Sequence, residues 1–304
     1  SSLGYLFKSQ KNVTRSQFKK FVNGSLNKYK SIQALEWIPK VPHALRSEYE
    51  QKAAEDLNIE FNIKAKNSKG KMLPEVTKKE YFPVYYVEPL LGNLKAVGFD
   101  LSSSATRLKS LNQSRESKKS AATARIKLVQ EKGQQFGFLV FLPVWNDLEE
   151  TDLKGFALGV YRVGDMLNTA LESIKGQSSF LDIWLVDTTE KNEGMSLEKH
   201  LLFSNTSSLS VSQDVLNSDI FIEGRTWTLY GKPSAQYLLK NESSIPTIAF
   251  IATFIIIVLV GYIISQKAIR ATELEKLVKE KTKDLEISYH KIEVFNNTLQ
   301  EKVE

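Results

Sequence analysis

Cysteine is absent from the 304 residues. That excludes disulfides and cysteine-based metal centres and leaves every redox compartment open, an oxidising one included. Histidine is scarce: His43, His200 and His290 stand far apart, without the spacing a metal site needs. Missing too are paired catalytic carboxylates, a nucleophile elbow, an HExxH run and a phosphate-cradling glycine loop. No metal or cofactor is therefore expected, and no catalytic centre within this chain. The net charge of +6 comes without any RNA- or DNA-binding pattern. Lys8, Lys11, Lys19, Lys20, Lys28 and Lys30 are dispersed among polar residues, as on a solvated surface, so nucleic acid is not an expected partner.

What is present is one long apolar run. IPTIAFIATFIIIVLVGYII (245–264) carries no charge over the length needed to cross about 30 Å of hydrocarbon, and predicts a transmembrane helix. Only Lys240 lies close before it, whereas Lys267, Arg270, Lys276, Lys279, Lys281 and Lys283 follow. The positive-inside rule puts 265–304 in the cytoplasm and 1–244 outside. An exported N-terminal region calls for an upstream signal peptide or first span, expected just before Ser1. Acidic and basic residues balance after the span, so the positive excess belongs to the outer region.

Within the outer region, Thr14-Arg15-Ser16-Gln17 reads as a capping box. The helix it opens places Phe18, Phe21, Val22, Leu26 and Tyr29 near one face, and 1–30 is expected to act as a stalk helix. SIQALEWI (31–38) reads as a strand stopped by Pro39 and Pro42, 42–57 as a helix, and IEFNIK (59–64) as a half-buried strand. YFPVYYVEP (81–89), KAVGFD (95–100), a helical 105–119, AATARIKLV (121–129) and FGFLVFLPVW (136–145) follow. Strands returning by short loops, with helices to one side, indicate an α+β module over 31–150. After the charged stretch NDLEETD (146–152), a smaller echo runs over 151–240. KGFALGVYRV (154–163) is its first strand, then come a helix (164–175), FLDIWLVD (180–187), HLLFS (200–204) and a hairpin turning at Glu223-Gly224. The expected fold class is α+β: an N-terminal stalk helix, two tandem modules of antiparallel sheet with helices, a transmembrane helix and a coiled coil.

The coiled coil is read from Val278, Leu285, Ile292 and Leu299, seven apart, with Leu274, Lys281, Ser288 and Phe295 on the complementary seam. β-branched residues mixed with leucine favour a homodimer, and the polar Lys281 and Ser288 weaken the seam, as suits a device that shifts between states. His290 lacks the surroundings of a kinase phosphoacceptor and reads as a surface residue.

Taken together, SQFKKFVNGSL (16–26), IQALEWIPKV (32–41) with Arg46 and Glu50, YFPVYYVEPL (81–90), GFDLSSSATR (98–107), TARIKLVQE (123–131) and GFLVFLPVW (137–145) resemble the CHASE family. This is the extracytoplasmic sensor domain first known from cytokinin receptors. The resemblance spans most of 14–235 and is looser in the second half. It implies a long stalk helix followed by two PAS-like modules, in a dimeric bacterial receptor of the inner membrane whose periplasmic sensor holds a small ligand in the membrane-distal module. It also implies a cytoplasmic output: a histidine kinase, or alternatively a diguanylate or adenylyl cyclase. Its ligand contacts map to Arg107, Thr123, Lys127, Leu128, Val129 and Phe141, with Tyr85 and Trp37 from the other matching segments. The family aspartate that holds adenine in plant members falls at Arg107. A guanidinium favours carboxylate or phosphate, so the ligand is expected to be anionic with an apolar body rather than bound as plant cytokinins are. Arg107 could equally be structural, pairing with Asp100 or Glu88. A plain extracytoplasmic binding scaffold is the non-signalling alternative. In FGFLVFLPVW, alternate residues face opposite ways, one set for the core and the other for the ligand cavity; the prolines of the matching segments are expected where strands leave the sheet.

Overall fold

The computed structural model describes residues 2–10, 12–29, 31–67, 70–128, 136–172, 180–190, 196–206, 215–240 and 246–300. It divides into two compact units, 1–237 and 238–304.

The first unit opens with two helices, α1 (Ser2–Ser9) and α2 (Arg15–Lys28). The capping box at Thr14 is present: the Thr14 side chain accepts from the Gln17 backbone, and Gln17 accepts the Thr14 N–H at 2.8 Å. That cap starts α2 afresh, so the N-terminal stretch is two helices rather than one rod. Neither projects freely. Leu3, Leu6, Phe7, Phe18 and Val22 are buried against Trp37, Val144 and Ala157 of the first sheet.

That sheet is antiparallel and five-stranded. Its strands are β1 (Ile32–Pro39), β2 (Tyr86–Glu88), β3 (Ala121–Ala122), β4 (Gly137–Trp145) and β5 (Leu153–Arg162), in the order β2-β1-β5-β4-β3. The strand at 154–163, expected to open the second module, is instead the middle of the first sheet, paired with β1 on one side and β4 on the other. NDLEETD is correspondingly a hairpin connection, closed by Asn146 N–H to the Asp152 carbonyl at 2.9 Å, and not an interdomain linker. Two-sided burial explains β5: both of its faces are covered, so its sequence runs apolar without alternation.

One face of the sheet carries α1 and α2. The other carries α3 (Arg46–Leu57), α4 (Ala105–Ser117) and the segments between, around a core that includes Phe61, Ile63, Tyr81, Phe99, Leu111, Phe141 and Phe156. The alternation in IEFNIK is real as burial, since Phe61 and Ile63 are inward, but ladder bonds begin only at Lys64–Lys66, opposite Met72–Pro74. KAVGFD is likewise a 3-10 turn (Leu94–Ala96) and isolated bridges rather than a strand. Among the described residues of 121–129, Ala121–Ala122 forms a strand and Ile126 an isolated bridge to Gly137. Pro143 lies inside β4 and not at its end. The neighbouring β3 ends opposite Phe141, so Pro143 stands on an open edge where no ladder bond needs its missing N–H.

The second sheet holds β6 (Leu181–Asp187), β7 (Leu201–Ser204), β8 (Leu216–Ile222) and β9 (Arg225–Pro233), in the order β7-β6-β9-β8. The β8–β9 hairpin turns at Glu223 (φ 43°) and Gly224 (φ 81°), both in the left-handed region that a two-residue turn requires. α5 (Val163–Glu172) follows directly from β5. Phe138, Ala122 and Val163 meet Leu185, Leu202 and Trp227 in a cluster between the two sheets, with Phe138 edge-on to Trp227.

The second unit is dominated by α6 (Pro246–Gln300), one helix of 55 residues. Pro246 occupies its first turn, where a missing N–H costs nothing. It is the one helix among the described residues long and apolar enough to cross a membrane. Ile251, Ile255, Leu259 and Ile263 are all exposed along it.

Candidate ligand-binding site

A transverse row crosses the first sheet. Val87 lies opposite Glu36, Glu36 opposite Leu158, Leu158 opposite Phe141, and Phe141 opposite Ala121. Opposed residues project to one face, and strands stand about 4.8 Å apart, so Glu36 and Phe141 share a face roughly 10 Å from each other. That face is covered by the core of α3, α4 and the 59–101 segment.

Glu36 is the anomaly in this row. It is 3% exposed, between the fully buried Ala34 and Ile38. Burial pushes its carboxyl up to about 8, with nearby Arg107 pulling the other way. It takes no hydrogen bond or ion pair among the described residues.

Arg107 projects from the first turn of α4. Its guanidinium lies 5.3 Å from the Phe99 ring centre, and its N–H groups donate to Ser104 Oγ (3.1 Å) and the Lys127 carbonyl (3.4 Å). Burial pulls the guanidinium down to about 10, and the Glu36 carboxylate opposes that shift. Neither acid considered as a structural partner bonds it. Asp100 is occupied by Lys78 Nζ (3.0 Å), the Phe82 N–H (2.9 Å) and Ser102. Glu88 lines a separate cleft of about 200 Å³ with Lys19, Asn23 and Gln33. The turn that presents α4 depends on Gly98 (φ 81°), where a Cβ would stand 2.5 Å from the Asn62 carbonyl oxygen.

Thr123 is fully buried and extends the ladder beyond β3: its N–H donates to the Leu139 carbonyl (2.9 Å), and its Oγ1 accepts the Leu139 N–H (3.1 Å). Leu128 is buried over Gly137. The Lys127 side chain is exposed; burial first, then the charges of Arg107 and Lys127, lower the ammonium pKa of Lys66, so the three cations share one electrostatic neighbourhood. Phe141 is buried, edge-on to Phe156. In β4, Leu139 and Phe141 face this core while Phe138 and Val140 face the second sheet, which settles which set of FGFLVFLPVW looks toward the candidate site.

Of two further sequence-predicted residues, Trp37 stands away from this face and Tyr85 packs at the edge of its core. Trp37 projects to the opposite face and stacks on Phe7, ring centres 3.8 Å apart. Strand alternation imposes this, since its neighbours Glu36 and Ile38 look the other way. Tyr85 is half-buried among Tyr49, Phe61 and Tyr86, and its N–H donates to the Trp37 carbonyl. Val129 lies outside the described residues. Arg46 and Glu50 tie the site's outer wall together: Arg46 bonds Glu50 (2.9 Å) and the carbonyls of Ile63 and Glu75, while Glu50 accepts the Ile63 N–H (2.8 Å). Sequence reasoning missed Glu36. Its signal was an acid midway along a strand whose same-face neighbours are Ala34 and Ile38.

Comparison with known families now decides the identity. The family model for the CHASE domain matches residues 11–197. The chain belongs to the CHASE family. The CHASE region is an extracytoplasmic sensory, ligand-binding domain. Among solved structures, the chain is similar to the periplasmic sensory domain of the Campylobacter jejuni chemoreceptor Tlp1, at 10% identity and a TM-score of 0.43, covering 79% of this chain and 86% of that one. It is also similar to the ligand-binding domain of the Pseudomonas aeruginosa PAO1 amino acid chemoreceptor PctC in complex with GABA, at 10% identity and 0.40, covering 75% and 86%. An extracellular ligand binding receptor from Desulfohalobium retbaense matches at 11% identity and 0.42 over 76% of this chain, which spans only 35% of that receptor. No curated protein matches.

Proposed function

We propose that this CHASE chain is the sensor region of a dimeric membrane receptor. A small anion-bearing ligand binds on the inner face of the first sheet, against Arg107, Leu128 and Phe141, with Thr123 holding the wall. The observation that carries the reading is Arg107: a half-buried guanidinium with no acid bonded to it, set over an aromatic ring beside an apolar core. Such a fork of donors binds carboxylate or phosphate. α4 and the segment after it also touch the second sheet, through Lys109 to Glu190 and through Arg125 to the Leu201 carbonyl at 2.5 Å. A change at Arg107 therefore has a physical route to the second sheet. From there the signal passes through α6, which crosses the inner membrane and continues as a cytoplasmic two-stranded coiled coil driving a histidine kinase.

The test is a thermal-shift screen of the full chain in lipid nanodiscs against carboxylates, nucleotides and adenines. Stabilisation by an anionic compound that Arg107→Ala and Thr123→Ala both weaken at least tenfold supports the site. Stabilisation that survives both substitutions places the ligand elsewhere.

A further inference from the structure

Glu36 adds something that an anion site does not need. A carboxyl in the centre of an apolar core, 3% exposed and without a hydrogen bond, stays protonated unless a cation stabilises its charge. Its position is fixed by β1, which is paired on both sides, so the group cannot swing to solvent. Arg107 is held just as firmly by Ser104, Lys127 and the face of Phe99. Arg107 and Glu36 lie within electrostatic reach of each other but form no ion pair.

We propose that the site takes a small zwitterion, an amino-acid-like molecule whose anionic group meets Arg107 and whose ammonium meets Glu36. The inference rests on the site reading above and deepens it by naming the ligand's second charge. A simple anion would satisfy Arg107 and leave Glu36 a neutral acid without a hydrogen bond; a simple amine would leave Arg107 without an acid. A molecule carrying both charges pairs with both groups, its ammonium drawing Glu36 to the carboxylate with release of the proton that Glu36 holds without ligand. Leu158, Phe141 and Phe156 then offer an apolar wall to its side chain.

The experiment uses the full chain in lipid nanodiscs, with calorimetric titration of the twenty proteinogenic amino acids. Each is matched by its des-amino carboxylic acid and its decarboxylated amine. The expected result is at least one amino acid bound tenfold or more tighter than both matched compounds. Glu36→Gln should remove the preference over the des-amino acid, and Arg107→Gln the preference over the amine. Glu36→Asp keeps the charge and should keep the preference, which separates recognition from misfolding, as do the unliganded melting curves. Carboxylic acids that bind equally with and without the amine, in wild type and Glu36→Gln alike, overturn the zwitterion but leave the anion site standing. A ligand indifferent to both Gln variants overturns the site itself. Silence across all three series overturns the zwitterion inference.

Discussion

Ala122 donates its backbone N–H to the carbonyl of Glu223 at 2.8 Å, so the strand that follows α4 is bonded directly to the hairpin turn of the second sheet. The same turn takes a second bond, from the Ser120 hydroxyl to the Glu223 carboxylate. Arg125 adds a third point of attachment, its guanidinium 4.2 Å from the Phe136 ring centre while donating to Leu201. The wall that carries Thr123 and Leu128 is thus shared between the candidate site and the second sheet.

That sharing separates binding from transmission. Arg125 reaches away from the core to Leu201, so Arg125→Ala should leave ligand affinity within about threefold while lowering signalling output in the complete receptor. Removing one charge-assisted hydrogen bond costs about 1.5–3 kcal/mol of coupling between the sheets, enough to shift a two-state equilibrium tenfold or more. Titration calorimetry and an output assay on the same variant check it; equal losses in both would mean that Arg125 belongs to the site.

Glu36 also makes stability depend on pH. Folded, its carboxyl keeps its proton up to about 8; unfolded, a glutamate loses it near 4.3. Between those values the folded state binds more protons. Its contribution is fully present below about pH 4, declines as pH rises, and is lost above 8. The expected slope is about 1.4 kcal/mol per pH unit in that window. Glu36→Gln cannot titrate, so the difference between the urea midpoints of wild type and variant should change steadily from pH 5 to pH 8. A constant difference would mean that the carboxyl is not shifted.

Arg46→Met tests the outer wall. The substitution keeps the alkyl length but removes the guanidinium donors to the Glu50 carboxylate and to the Ile63 and Glu75 carbonyls, leaving Glu50 with the Ile63 N–H and Ile63 with the Glu75 N–H. A loss on the order of 3 kcal/mol is expected in chemical denaturation. A change under 1 kcal/mol would mean that water replaces the guanidinium at no cost.

Local chemistry made several of these features legible. The Thr14 capping box and the Glu223-Gly224 hairpin follow from side-chain reach and from the φ angles that a tight turn requires, and both stand where the residues put them. Pairing partners were not legible. NDLEETD has the charge and polarity of a linker, and nothing local tells a linker from a long hairpin; only the registration of 153–162 against both 32–39 and 137–145 does. Arg107 came from a family position, and its lack of a bonded acid needed coordinates. Glu36 was visible as a residue but not as a problem, because SIQALEWI does not say which face of the strand is enclosed. Trp37 went wrong for the same reason: one residue along a strand is the other side of a sheet.

The last prediction concerns the helix beyond the apolar run. α6 continues without a break to Gln300, which at 1.5 Å per residue makes it about 80 Å long, far more than a bilayer needs. Its far half carries Val278, Leu285, Ile292 and Leu299 seven residues apart, the repeat of a two-stranded seam. Single cysteines at Leu285 and Leu299, in a chain that has none of its own, should cross-link into dimers in membranes under mild oxidation. A cysteine at Lys283, two residues before Leu285 and off the seam, should cross-link several-fold less. Equal yields at all three positions would indicate collision rather than a seam, and monomers throughout would remove the coiled coil. If ligand changes the ratio between Leu285 and Leu299, the polar interruptions at Lys281 and Ser288 become the place to look for the shift, and Lys281→Leu should lock the ratio at one value.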